Sequence, residues 1–193
     1  MSASGPGQSP ALRERLHDLS GQRALHLGCG TGEATVELAE LGALVTGADT
    51  DAEALEAARR LDPELPWLLG DAENLPAGLQ RGRSDLVFAT GRSLAGAADL
   101  EAWAAGIATV LRPDGELILN AEHPVLACLD EVLRWHGDYF AEDAAPRVGQ
   151  IVTVLIAAGL ELRLLEELPE FPPLRPQASR APGQLLVVAA KPA

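Results

Sequence analysis

The sequence predicts an α/β fold in which helices cover both faces of a parallel sheet. Three observations predict it. Short apolar runs alternate with helix-periodic segments from about residue 21 to residue 120. The connections between them are short. The first apolar run ends in glycines at alternating positions, Gly28, Gly30 and Gly32, directly before a helical segment. Such βαβα repetition closes into a parallel sheet with right-handed crossovers.

The elements follow in order. Residues 1–10 are rich in Ser, Gly and Pro and read as a disordered tail, leaving 11–193 as one domain. Leu12, Leu16 and Leu19 recur at helical spacing and predict a short amphipathic helix ending near Ser20-Gly21. Ala24–Gly28 reads as the first strand and Glu33–Leu41 as a helix stopped by Gly42. Leu44–Ala48 is a second strand. Ala52–Leu61 is a helix capped by Thr50 or Asp51, with Pro63 beyond its end. Trp67–Leu69 and Asp85–Ala89 are the third and fourth strands. A helix capped by Asp99 runs to about Leu111, Pro113-Asp114-Gly115 is a turn, and Glu116–Asn120 is a fifth strand. Residues 121–146 form a longer connection with a helix near Val125–Arg134. A helix at Gly149–Ala158 stops at Gly159. Leu160–Glu166 and Gln184–Ala190 are strands joined through the Pro-rich stretch 168–183. Two strands joined by a loop without a helix must be antiparallel if they pair directly.

Composition excludes several function classes. The chain carries 28 carboxylates against 15 basic residues, a formal charge of −13, and has no Lys/Arg run. Nucleic-acid binders draw their affinity from neutralising phosphates, so neither nucleic acid nor an anionic membrane is an expected partner. Cys29 and Cys128 lie far apart and suggest neither a disulfide framework nor a zinc site, so no metal is expected and the expected compartment is the reducing cytoplasm. The N-terminus lacks the charged and apolar regions of a signal peptide.

The chemistry concentrates at strand ends. Leu25-His26-Leu27-Gly28-Cys29-Gly30-Thr31-Gly32 runs from a buried strand into a turn that lets backbone approach a ligand. A dinucleotide fingerprint would place a third glycine where this chain has Glu33. A carboxylate at that helix N-terminus suits a cationic ligand without phosphate, such as S-adenosylmethionine (SAM). Asp49 ends the second strand, 17 residues after Gly32, and is placed to accept from ribose hydroxyls, with Thr50 beside it. The plainer reading of Asp49 is a helix cap. After the third strand comes Gly70-Asp71-Ala72-Glu73-Asn74-Leu75-Pro76. There Asp71 can accept from an adenine amino group and the Ala72 N–H can donate to a ring nitrogen. The plainer reading of Asp71 is an Asx-turn.

These three segments, in this order and each at a strand's carboxyl end, resemble the class I SAM-dependent methyltransferases. The likeness is nearest to the small-molecule group that includes ubiquinone and menaquinone biosynthesis enzymes. Ser84-Asp85-Leu86-Val87-Phe88-Ala89 and Val110-Leu111-Arg112-Pro113-Asp114-Gly115-Glu116-Leu117 match further segments of that family, and the likeness covers roughly residues 21–190. It implies a Rossmann-like three-layer sandwich with a seven-stranded, mostly parallel sheet and an antiparallel last strand. It also implies a cofactor, SAM, held by Gly28, Cys29, Gly30, Gly32, Asp49, Thr50, Asp71 and Ala72, with Thr90 and Gly91 bordering its methionine part. The implied reaction is methyl transfer to a small O-, N- or C-acceptor, releasing S-adenosylhomocysteine. One position departs from the family. His26 stands where an Asp or Glu helps hold the methionyl amine, and the expectation is either reduced affinity for SAM or partial compensation by Glu33.

Methyl transfer needs in-line placement more than a catalytic side chain. His123, just past the fifth strand, is the candidate base, against a plainer role hydrogen-bonding loop backbone. His136 and Tyr139 fall in the connection expected to cover the acceptor. Trp135 and Phe140 beside them would wall its pocket or pack the cover onto the core. Arg92 reads equally as a binder of acidic acceptors or a solvated charge. Two rivals stand beside this reading. One is a non-catalytic binder of SAM or S-adenosylhomocysteine, the other a nicotinamide-dependent oxidoreductase, against which Glu33 and the terminal hairpin argue. A homodimer is left open.

Overall fold

The computed structural model describes residues 10–79, 82–130, 134–141, 144–169 and 181–193. Its strands are β1 (Arg23–Leu27), β2 (Leu44–Asp49), β3 (Trp67–Leu69), β4 (Ser84–Thr90), β5 (Leu111–Glu122), β6 (Glu161–Leu168) and β7 (Gln184–Ala190). They form one seven-stranded sheet in the order β3-β2-β1-β4-β5-β7-β6. β7 pairs antiparallel with both neighbours, while the pairs from β3 to β5 are parallel. The expected sandwich with its antiparallel last strand is therefore present. The order reverses at β1, between β2 and β4, which is where open α/β sheets bind ligands.

Strand alternation splits the core into two layers. Leu25, Leu27, Val87, Leu117 and Val187 face α5 (Leu100–Val110) and α6 (Val148–Ala157), packing on Trp103, Ile107, Ile151 and Leu155. Ala24, Phe88, Ile118 and Val188 face the other way, onto Leu38 of α2 (Glu33–Glu40) and onto Leu12, Leu16 and Leu19. α1 itself is shorter than the leucine spacing predicts, Pro10–Arg15, yet all three leucines are buried. Most of the tail, residues 1–9, and most of the Pro-rich stretch, residues 170–180, lie outside the described residues.

α3 (Ala52–Leu61) has the predicted bounds, and its cap is Asp51, whose side chain accepts from the Glu53 and Ala54 N–H groups. β5 begins five residues before the expected Glu116. Its Pro113-Asp114-Gly115 stretch is absorbed as an irregularity in the pairing with β4, with Asp114 at φ 60°. Where a helix was expected from Val125 there is a 3₁₀ turn over Pro124–Cys128, after which Leu129 pairs with Trp135 as an isolated bridge; residues 131–133 of the expected helix lie outside the described residues. One helix was not expected: α4, Gly91–Gly96, directly after β4.

Candidate active site

The carboxyl ends of β1, β2, β4 and β5 converge on a cavity of about 1280 Å³. Its floor is Gly28–Thr31, with Thr90–Arg92 on one wall and Asn120–Pro124 and Gly183–Gln184 opposite. The glycine loop is pinned at both ends. The N–H groups of Gly28 and Cys29 donate to the Ala48 carbonyl at 2.8 and 3.0 Å, and the Thr90 hydroxyl donates to the Gly28 carbonyl at 2.7 Å. Gly28 has φ 72°, and a Cβ there would lie 2.5 Å from the Ser93 nitrogen, so neither conformation nor space admits a side chain. Gly32 opens α2 at φ 97°. Cys29 lines the cavity, but burial and the charge of Asp49 push its thiol up to about 12, so it is no nucleophile at neutral pH.

Asp49 is the electrostatic centre. Its side chain is 3% exposed, and its carboxylate accepts from the Gly30 N–H at 2.7 Å and the Asp51 N–H at 2.9 Å. Because Asp51 caps α3, the capping role is not what Asp49 is for. The Arg92 Nε–H also donates to it at 3.2 Å. Burial alone would raise the Asp49 pKa, but Arg92 and the two N–H groups outweigh it and hold the carboxyl below its usual range. Sequence reasoning missed this ion pair. Arg92 sits on α4, and no periodicity announces a six-residue helix between glycines.

Asp71 forms the Asx-turn, its Oδ1 accepting from the Glu73 and Asn74 N–H groups at 3.0 and 3.1 Å. Ala72 is buried beneath α5. Asp71, Thr50 and Gly70 line a second space of about 10 Å³ with Asp49, Arg92, Ser93 and Gly96. The two groups of expected residues therefore lie on either side of α4. Cys29, Gly30, Thr90 and Gly91 face the large cavity, Thr50 and Asp71 the small one, and Gly28 borders both.

His26 is 1% exposed beside the large cavity. Its Nδ1 lies 2.7 Å from the hydroxyl of fully buried Thr35. That hydroxyl needs an acceptor and His26 Nδ1 is the one at hand, which places the ring proton on Nε2, an atom without a partner. Burial lowers the His26 pKa to about 4, against a smaller opposing pull from Asp49. The unfolded chain therefore takes up this proton first as pH falls, and stability declines from pH 6.5 towards pH 4. Urea unfolding at pH 5 should show about 2 kcal/mol less stability than at pH 7 from this residue. In His26→Gln the difference should shrink by that amount; an undiminished difference would assign it elsewhere.

His123 is 5% exposed and lines the far wall. Its Nδ1 accepts from the Val125 N–H at 3.2 Å, so in the neutral ring Nε2 carries the proton and donates to Glu167 at 2.7 Å. Trp135 and Phe140, expected as pocket wall or core packing, are 60% and 73% exposed and do not line the cavity. Phe140 is engaged from outside instead, by the Arg147 guanidinium 5.4 Å above its ring and the edge of Tyr139. His136 is exposed too, and beyond Pro124 that connection lends the cavity Leu126, Ala127, Ala145 and Pro146.

A family model described as a methyltransferase domain matches residues 24–115. An uncharacterized methyltransferase of Synechocystis is 38% identical over 120 residues, covering 57% of this chain and 55% of the relative. A demethylmenaquinone methyltransferase of Corynebacterium kroppenstedtii is 32% identical over 147 residues, covering 74% and 59%. The chain thus spans little more than half the length of these two relatives. The crystal structure of an S-adenosylmethionine dependent methyltransferase from Mesorhizobium loti superposes with a TM-score of 0.78 at 25% identity, covering 94% of this chain and 96% of that one.

Proposed function

Because this chain belongs to the class I SAM-dependent methyltransferases, with SAM as the family's cofactor, we propose that residues 11–193 act as one domain that transfers a methyl group to a small-molecule acceptor. The observation that carries the reading is one large cavity running from the glycine loop at β1 to the ends of β5 and β7. It has room for the methionine part of a cofactor and an acceptor side by side. The residues fit such a cofactor: a buried carboxylate at the tip of β2, a buried Nε2–H without a partner beside the cavity, and a lining rich in carboxylates.

When bound, SAM supplies an electrophilic methyl group on a sulfonium. The chain's own part is to bind, orient and exclude water. Asp49 accepts from the ribose hydroxyls and Asp71 from the adenine amino group, while Gly28–Gly32, Thr90 and Gly91 border the remainder. Glu33, Glu37, Asp51, Glu53 and Glu122 around the cavity favour a cationic centre. His123 is the proposed base for acceptors that must lose a proton. To take one it gives up the Val125 N–H at Nδ1, and Glu167 then steadies the imidazolium.

Other features agree with a small-molecule enzyme of the cytoplasm. No helix among the described residues is long and apolar enough to cross a membrane, both cysteines are free, and the net charge is −13. The test is calorimetric titration with SAM and S-adenosylhomocysteine, followed by labelled-methyl transfer to phenols, amines and enolisable ketones. Binding of both, with transfer to one acceptor class, is the expected result. Binding without transfer to any class assigns a non-catalytic sensor instead. Binding of a nicotinamide dinucleotide but neither adenosyl ligand overturns the proposal.

A further inference from the structure

Arg92 occupies the place that the proposed function gives to a sugar. Its Nε donates to Asp49 Oδ2 at 3.2 Å, and its Nη2 lies 3.5 Å from both Asp49 Oδ1 and Asp51 Oδ2. A Cβ on Gly30 would meet the Arg92 side chain first, at 3.5 Å. The space left between Asp49 and Asp71 is about 10 Å³, enough for a water molecule and far too little for a nucleoside. Arg92 lines this pinched space and the large cavity alike, so its side chain is the partition between them.

The partition is fastened lightly. α4 is six residues long, and its N-cap, Thr90, makes no capping bond. It is tied down through Ser93, whose Oγ accepts from the Trp103 indole N–H at 2.8 Å. The Arg92 side chain is 54% exposed, and ion pairs with one partner open to solvent contribute little.

We infer that Arg92 is an autoinhibitory latch: the ligand-free chain seats its own guanidinium on Asp49, and an adenosyl ligand binds only by expelling it. This rests on the reading of Asp49 as the ribose acceptor. Ribose diol and guanidinium need the same two carboxylate oxygens, so they compete. Expulsion swings an unpaired guanidinium into the larger cavity, where the other charged side chains are carboxylates.

Stopped-flow fluorescence tests this with S-adenosylhomocysteine as probe, because the Trp103 indole bonded to Ser93 reports movement of α4. Arg92→Ala and Arg92→Gln should both bind the probe more tightly, by about twofold to fivefold, the range one partly exposed ion pair supplies. The association rate should rise by the same factor in both variants, because a side-chain latch this weak opens and closes faster than ligand arrives. Weaker binding by both variants makes Arg92 a ligand contact and overturns the latch. So do unchanged affinity and rates. An Asp49→Ala chain that binds the probe as well as the parent overturns the ribose assignment itself, however the Arg92 variants behave.

Discussion

Asp49→Ala should weaken binding of S-adenosylhomocysteine by about 30-fold or more in calorimetric titration. The carboxylate is 3% exposed, so a hydrogen bond made to it is made away from water. Bonds to a charged acceptor contribute about 1.5–3 kcal/mol each, and a ribose diol offers two. The sum corresponds to about 100-fold or more. Freeing Arg92 offsets at most about a fivefold share of this loss. The change also strips an acceptor from the Gly30 and Asp51 N–H groups, so unliganded stability should fall by about 1–3 kcal/mol. Asp49→Asn separates the two effects, because its amide oxygen still serves one N–H while the charge is gone. Near-parent affinity in Asp49→Asn would show that the charge is not what holds the sugar.

Gly106→Ala should be the most destabilising single methyl group in the chain. A Cβ at this position in α5 would lie 1.8 Å from the Ala72 carbonyl oxygen and 2.7 Å from its carbon. Those are backbone atoms of the loop that carries Asp71, so no rotamer change relieves the clash. Overpacking typically costs about 1–3 kcal/mol, and a collision with backbone belongs at or above the top of that range. Urea unfolding should show a loss of about 3 kcal/mol, and adenosyl affinity should fall with it because the Asp71 loop is pushed off α5. Gly149→Ala is the control. Gly149 lies in the first turn of α6 with nothing within 4 Å of a new Cβ, so the same methyl group should be neutral or stabilise by up to about 1 kcal/mol.

The strands were legible because each buried one is an apolar run bounded by breakers, as in Leu44–Asp49 between Gly42 and the Asp51 cap. α3 was legible for the same local reason. The glycine loop, Asp49 and Asp71 could be placed at strand ends from order alone. What tertiary contact decides was not legible. α4 consists of Gly91-Arg92-Ser93-Leu94-Ala95-Gly96, flanked by two poor helix formers, and it exists because Leu94 enters the core and Ser93 meets Trp103. β5 reads as interrupted at Pro113-Asp114-Gly115, yet the strand continues because the Asp114 N–H finds the Lys191 carbonyl, almost 80 residues on. Asp49 and Asp51 are two carboxylates at alternating positions, and composition cannot say which caps α3. Trp135 and Phe140 look like lining because they are aromatic, but Phe140 meets Arg147 and Tyr139, and Trp135 is turned largely to solvent.

The position of β7 governs how the molecule can be made. Leu185-Leu186-Val187-Val188-Ala189-Ala190 follows both β5 and β6 along the sequence, yet in the sheet it lies between them. During synthesis β5 therefore waits with an unsatisfied edge, and this apolar hexapeptide, once released, has the composition of a self-associating segment. Every round of synthesis is a race between insertion and aggregation. A chaperone that shields the β5 edge until β7 arrives would raise the share of chains that reach the native form.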